Sequence, residues 1–245
     1  MTNMIISRKK GRCLELTIDN QEHDNAMSDE MVAELTRCLL HTEEDTDLIV
    51  LSGAGGDFCT GRLSMGKREG ERPEALARRR KTEVIFRCYD AFRASTVPVI
   101  GLIRGRAYGF GCAIAALCDV TIAADTARFQ IPEMAHSILP TMVMSALIDR
   151  VPRKALMHLV YSTNEINATK AENFGLVSAV VEEDRIDAVV EALIVTMLNA
   201  PRPALLGIKE YLRSAPSMDI RGAIDFAQNL HATVNSSSEM NKSKH

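Results

Sequence analysis

Three segments of the chain carry residues whose types and spacing suit the handling of charge. The first, Gly53-Ala-Gly-Gly-Asp-Phe-Cys-Thr-Gly-Arg62, contains four glycines and follows the apolar run Leu48-Ile-Val-Leu51. A backbone with so few Cβ atoms can approach a ligand closely and present its N–H groups to it. The loop has neither the Lys-Ser/Thr of a phosphate-binding P-loop nor the glycine spacing of a dinucleotide site, so those two chemistries are disfavoured. The second, Arg104-Gly-Arg-Ala-Tyr-Gly-Phe-Gly-Cys112, opens a predicted helix, where free N–H groups and the positive end of the helix dipole together favour an anion. Taken alone it is equally well explained by close packing of a helix start on a strand. Two such loops facing each other would hold a developing oxyanion between main-chain N–H groups. The third is Phe129-Gln-Ile-Pro-Glu133, in which Pro132 bars regular pairing and sets Glu133 in an irregular turn among apolar neighbours. A carboxyl so placed has a raised pKa and can exchange protons with a substrate, although a lone Glu beside Pro also suits a surface turn.

The elements that must position these segments are legible from periodicity. Leu14 to Ile18 alternates as a half-buried strand does, and Leu48 to Leu51 is a short apolar strand. Between them Ser28 is the predicted N-cap of a helix that carries Met31, Leu35, Cys38 and Leu39 at helical spacing. A charged helix from about Leu76 to Phe92, a strand Val97 to Ile103, a small-residue helix Gly109 to Leu117 and a strand Val120 to Ala123 continue the alternation. That order predicts an α/β layered fold with crossover connections, in which ligands bind where loops leave the carboxyl ends of strands. After about Arg150 helices dominate, at Asp184–Asn199, Pro203–Ser214 and Asp219–Asn229, and the polar end 236–245 has nothing to pack.

With 245 residues, 46% hydrophobic and 25% charged, and a net charge of -3, the chain reads as an ordinary globular protein. No long basic tract speaks for nucleic acid, and the one dense run, Arg78-Arg79-Arg80-Lys81, suits a solvated helix face. The six cysteines form no CxxC pair and have no His at ligand spacing, so no metal site and no disulfide framework is predicted, and a reducing, cytoplasmic setting is expected. No apolar stretch reaches the roughly 20 residues of a membrane helix.

The ordered set Asn25-Ala26-Met27, Phe58-Cys-Thr-Gly-Arg62, Ala107-Tyr-Gly-Phe-Gly-Cys112 with Cys118-Asp119, Phe129-Gln-Ile-Pro-Glu133, Ile138-Leu-Pro140, and Asn167-Ala-Thr-Lys-Ala171 with Phe174-Gly-Leu-Val177 resembles the crotonase superfamily, the enoyl-CoA hydratase/isomerase family. The likeness covers roughly residues 5 to 215 in the family's order and spacing. It implies a ClpP-like spiral of ββα units in two sheets (1–190), a C-terminal helical trimerisation region (191–235) and a disordered tail (236–245), assembled as a homotrimer or homohexamer. It also implies acyl-CoA thioester substrates, with coenzyme A arriving as part of the substrate and no separate cofactor. In such a site two backbone N–H groups, by position those of Arg62 and Phe110, polarise the thioester carbonyl and stabilise the enolate. Ala26, Thr60, Gly61 and Leu63 match loop positions that border coenzyme A, while Tyr108, Gly109, Ala113, Pro132 and Thr141 match positions around the acyl group.

The departures from the family pattern are as informative as the matches. Hydratases of the family hold a water between two glutamates, one after the Cys that matches Cys112 and one after the Pro that matches Pro132; here the first is Ala113 and only Glu133 remains. A glycine-rich turn after Pro140 is replaced by Thr141-Met-Val-Met144. One carboxylate suffices to carry a proton from C2 to C4, so the resemblance points first to isomerisation of 3-enoyl-CoA to 2-enoyl-CoA. Hydration, or hydration with cleavage, of an unusual acyl group is the alternative, with Tyr108, His136 and Thr141 as helpers nearest in sequence; a non-catalytic acyl-CoA binding protein is the other.

Overall fold

In the computed structural model residues 4–63 and 74–240 are described. The elements in chain order are β1 (Met4–Lys10), β2 (Cys13–Asp19), α1 (Asp29–Leu40), β3 (Leu48–Gly53), α2 (Ala75–Ala94), β4 (Val99–Ile103), β5 (Arg106–Tyr108), α3 (Phe110–Leu117) and β6 (Val120–Ala124). Then follow β7 (Arg128–Gln130), α4 (Thr141–Leu147), α5 (Arg153–Ser162), β8 (Ile166–Asn167), α6 (Ala168–Asn173), β9 (Ala179–Val181), α7 (Ile186–Asn199), α8 (Arg202–Ser214) and α9 (Ile220–Asn235).

A six-stranded sheet runs in the order β1-β2-β3-β4-β6-β9, antiparallel only in the β1–β2 hairpin and parallel from there on. A second sheet of three very short strands, β5-β7-β8, stands beside it. The predicted strands and helices all form, and the predicted cap is present, with the Ser28 hydroxyl accepting the Met31 N–H at 3.3 Å. The second sheet is the one the resemblance implies, but its strands, like the first strand of the chain, are not among those read from periodicity. Strand β1 lies at the sheet edge with an exposed face of Arg8 and Lys10, which hides its alternation. Strands of two or three residues are too short to show a period.

Both faces of the large sheet are covered, as parallel sheets require. Along β3 the period of two sends Leu48 and Val50 to one side, where Ile186, Val190 and Ile194 of α7 pack, and Ile49 and Leu51 to the other, against α1, α2 and α3. The expected division at 190/191 therefore falls inside a helix of the core. Helix α7 runs on to Asn199, and the break before α8 falls at Ala200-Pro201. Residues 236–240 are likewise not free of contacts, because the one large apolar side chain there, Met240, lines a groove with α8 and α9; residues 241–245 lie outside the described residues.

Helix α8 is tied to the core through a buried charge. Lys209 Nζ, on a residue 6% exposed, donates to both oxygens of Asp119 at 2.8 Å, and Asp119 Oδ2 also accepts the Val99 N–H. Removing one partner of such a pair leaves the other uncompensated. Lys209→Ala is expected to lower unfolding free energy by about 3–5 kcal/mol, read from denaturant midpoints. A loss within about 1 kcal/mol would show that the pair is screened as a surface pair is.

Candidate active site

The first glycine-rich loop is pinned from two sides. Asn25, which follows β2, donates from Nδ2 to the carbonyls of Ala54 (2.8 Å) and Asp57 (2.6 Å), while its Oδ1 accepts the Asn20 N–H at 2.9 Å. Asp57 in turn receives the Arg106 backbone N–H (2.8 Å) and both arms of its guanidinium. Burial pushes the Asp57 carboxyl up, but the hydrogen bonds from Arg106 outweigh it and hold the pKa below the ordinary carboxylate value.

Beyond Asp57 the loop runs as a strand alongside β5: Phe58 N–H donates to Arg104, Cys59 N–H to Arg106, and Tyr108 N–H back to Cys59. It then crosses to Met27, whose N–H donates to Gly61 O and whose carbonyl accepts Leu63 N–H. Arg62 lies between those two bonded positions, so its own N–H turns away from Met27. Ala26 and Thr60 are fixed nearby, the Ala26 carbonyl by Asn20 Nδ2 (2.6 Å) and the Thr60 hydroxyl by the Asp24 carbonyl (2.9 Å).

The second loop delivers the start of α3 to the same place. Gly109 adopts φ 51 and ψ -113, a conformation that L side chains rarely reach, and its N–H is held by Gln130 O at 2.9 Å. The first bond within the helix is Ala113 N–H to Gly109 O, which leaves the N–H groups of Phe110, Gly111 and Cys112 with no helical acceptor. The strained φ falls on Gly109, and Phe110 is not among the positive-φ residues, so a side chain is tolerated at 110. Gly111 seats the helix on the first loop: a Cβ there would stand 2.0 Å from the Cys59 carbonyl oxygen. All eight residues of α3 are buried, so its positive dipole end acts in a dry, low-dielectric setting.

Glu133 opens a one-turn 3-10 helix after Pro132. Its Oε1 approaches the bare Cα of Gly109, where a Cβ would lie 3.0 Å away, and its Oε2 is buried with no hydrogen-bond partner among the described residues. Burial raises the carboxyl pKa above the ordinary value, against the smaller pull of its own backbone N–H and of His136. The two loops and Glu133 are thus neighbours, able together to hold an anion at N–H groups and to move a proton beside it.

Other expected residues are placed less centrally. Ala113 is fully buried in α3, one turn past Phe110, and puts no carboxyl in the site. Thr141 is the exposed first residue of α4, and His136 is exposed at the end of the 3-10 turn. The Tyr108 hydroxyl meets Glu165, which Arg128 also pairs. The run Arg78 to Lys81 is exposed on the first turns of α2; of the segment Lys67 to Arg80, expected over the acyl group, residues 67–73 lie outside the described residues and 74–80 are exposed.

Two features were not foreseen. Tyr89, on the α2 face that also buries Ile85, Cys88 and Phe92, stacks its ring on Phe110 with centroids 5.6 Å apart. The Arg62 side chain pairs with Asp29 in the first turn of α1. The helical spacing of Ile85, Tyr89 and Phe92 signals that Tyr89 is buried, but not what it meets.

The geometry agrees with what the chain is similar to. The family model described as enoyl-CoA hydratase/isomerase matches residues 8–245. "Probable enoyl-CoA hydratase echA8" of Mycobacterium bovis is 30% identical over 203 residues, covering 82% of this chain and 77% of that one. Among solved structures, the enoyl-CoA hydratase of Mycobacterium smegmatis superposes with a TM-score of 0.89 at 25% identity, over 96% of this chain and 92% of that one. A Thermobifida fusca YX protein in complex with acetoacetyl-CoA gives a TM-score of 0.82 at 26% identity over 94% of each chain. Motifs, two-sheet architecture and family match converge: the chain belongs to the enoyl-CoA hydratase/isomerase family, also called the crotonase superfamily, and has its fold.

Proposed function

We propose that the protein isomerises 3-enoyl-CoA thioesters to 2-enoyl-CoA thioesters, with Glu133 as the single proton carrier. The observation that carries this reading is the half-buried Glu133, whose Oε2 is buried with no hydrogen-bond partner among the described residues, while the position that would carry a second carboxyl is Ala113. That a similar protein was solved with acetoacetyl-CoA supports the thioester class.

In this reading the thioester oxygen accepts hydrogen bonds from the N–H groups of Arg62 and Phe110, with Ala26, Thr60, Gly61 and Leu63 along the coenzyme A arm. Glu133 removes a proton from C2 as that C–H bond breaks, and the electron pair delocalises over C2–C4 and the thioester oxygen as a dienolate. Return of the same proton to C4 forms the new C–H bond and leaves the double bond at C2–C3. Each N–H donor of this kind is worth about 2.7–4 kcal/mol in the transition state. Hydration is favoured by the names of the relatives, but it calls for a second group to hold water, and Ala113 offers none.

A side-by-side assay decides. Conversion of 3-hexenoyl-CoA without hydration of crotonyl-CoA is the expected result; hydration of crotonyl-CoA overturns it, and binding of both without product means a non-catalytic protein.

We also propose that α8 and α9 carry the contacts of a homotrimer or a dimer of trimers. They expose Ile208 (62%), Leu212 (63%), Ile220 (79%) and Ile224 (59%), apolar side chains that a monomer would leave in water. Sedimentation equilibrium is expected to give three or six chains; a monomeric mass would refute this.

A further inference from the structure

In the proposed reaction the Arg62 N–H holds the thioester oxygen, and the chain around Arg62 is tied to one short segment at three points. The Gly61 carbonyl accepts the Met27 N–H and the Met27 carbonyl accepts the Leu63 N–H, each at 2.9 Å. The third tie is made by side chains. The Arg62 guanidinium meets the Asp29 carboxylate through Nη2, and Asp29, two residues after Met27, is the first residue of α1.

The peptide that carries the Arg62 N–H joins Gly61 to Arg62, and it is held on the Met27 side through its oxygen. Rotation about the line between its two Cα atoms would swing the N–H out of line. Gly61, at φ 124, resists such a rotation poorly, because glycine has wide backbone freedom. Resistance must come from the Arg62 end. There the Nε is buried with no hydrogen-bond partner among the described residues, and Asp29 is what holds the guanidinium.

Asp29 is a firm anchor. The Ser28 hydroxyl caps its helix, and Met31, Val32 and Leu35 bury the same first turns in the core. The two side chains are 28% and 40% exposed, so the pair adds little to folding stability. Its use is in fixing a direction.

We propose that Asp29 is a positioning residue for the thioester: through the Arg62 guanidinium it anchors the Arg62 end of that peptide to α1 and keeps the N–H in line with the thioester oxygen. This rests on the reading of the Arg62 N–H as an oxyanion donor.

Asp29→Ala removes the anchor, and Asp29→Asn, close in shape, removes its charge. Misplacing a positioned group by about 1 Å can cost about a hundredfold, so a loosened peptide is expected to lower kcat for 3-hexenoyl-CoA about tenfold. KM should change less than about twofold, because the donor matters most in the transition state. Asp29→Glu keeps the charge and is expected to retain most of kcat. Arg62→Met keeps the N–H and should lose the same factor as Asp29→Asn, and the double variant no more than either, since both cut one link. Losses that multiply in the double variant, or wild-type kcat in both Asp29→Ala and Asp29→Asn, overturn the proposal.

The infrared carbonyl stretch of bound butyryl-CoA, isotope-labelled at the carbonyl carbon, gives a readout without turnover. Hydrogen bonds to that oxygen lower the frequency, so the wild type should bring it below that of the free thioester. A return toward the free value in Asp29→Asn, with a thermal midpoint near that of the wild type, supports the proposal. A wild-type frequency in both Asp29 variants overturns it. If the wild type itself lowers nothing, the reading of Arg62 as a donor fails, and the role of Asp29 falls with it.

Discussion

Glu133→Gln is expected to turn over 3-hexenoyl-CoA about a thousandfold more slowly than the wild type while still binding the thioester, since a positioned proton carrier contributes about 10²–10⁴-fold. The amide keeps the shape and cannot take a proton from C2. KM should change little, because the thioester oxygen is held by main-chain N–H groups that the substitution does not touch. Retained turnover would remove Glu133 from the reaction.

The same carboxyl sets two pH dependences. Burial, the main cause, raises its pKa above the ordinary carboxylate value. The proposed isomerisation would start from the ionised form, so the rate should fall as pH drops through that raised pKa, with an acid limb above the range of a free glutamate. For stability the sign is opposite. A carboxyl whose folded pKa is raised favours folding when protonated; that contribution is complete below the unfolded pKa and is lost as pH rises through the folded one. At neutral pH the ionised Glu133 therefore opposes folding, and Glu133→Gln should melt no lower than the wild type, an advantage that disappears in acid. Melting curves at neutral and acid pH check this; a variant less stable at neutral pH would mean that the carboxylate has partners in solution.

Gly111→Ala is expected to damage the site as severely without touching a reacting group. The new Cβ would stand 2.0 Å from the Cys59 carbonyl oxygen and 2.8 Å from its carbon, and neither backbone can yield without moving the loop that presents Arg62. Misplacing a positioned group by about 1 Å can cost about a hundredfold in rate, and overpacking a dense core costs about 1–3 kcal/mol. Thus kcat/KM for 3-hexenoyl-CoA should fall about a hundredfold, and the denaturant midpoint should drop with it. An unaffected rate would show that α3 and the first loop do not share a site. By contrast Gly56, where a Cβ would meet nothing within 4 Å, should accept alanine with little effect.

Much of this protein is written in local sequence. The alternation of Leu14 to Ile18, the run Leu48 to Leu51, the Ser28 cap and the glycines of the two loops specify strands, a helix start and close backbone approaches, because each depends on residues only a few positions apart. The absence of a carboxyl at Ala113 is equally legible, and it separates this chain from the two-glutamate pattern it resembles.

What periodicity could not show is decided by pairs far apart in the chain. Tyr89 reads as one more buried aromatic on α2 until the fold stacks its ring on Phe110. Lys209 reads as a surface lysine of an amphipathic helix until α8 docks it on Asp119, and nothing local pairs Tyr108 with Glu165. The strands of the second sheet have too few residues for a pattern and exist only because Cys59, Ala107 and Phe129 lie side by side. Local preferences fix which segments are helix, strand or turn. Which side chains meet across the core follows from burying all of those segments together, and that is a property of the whole chain.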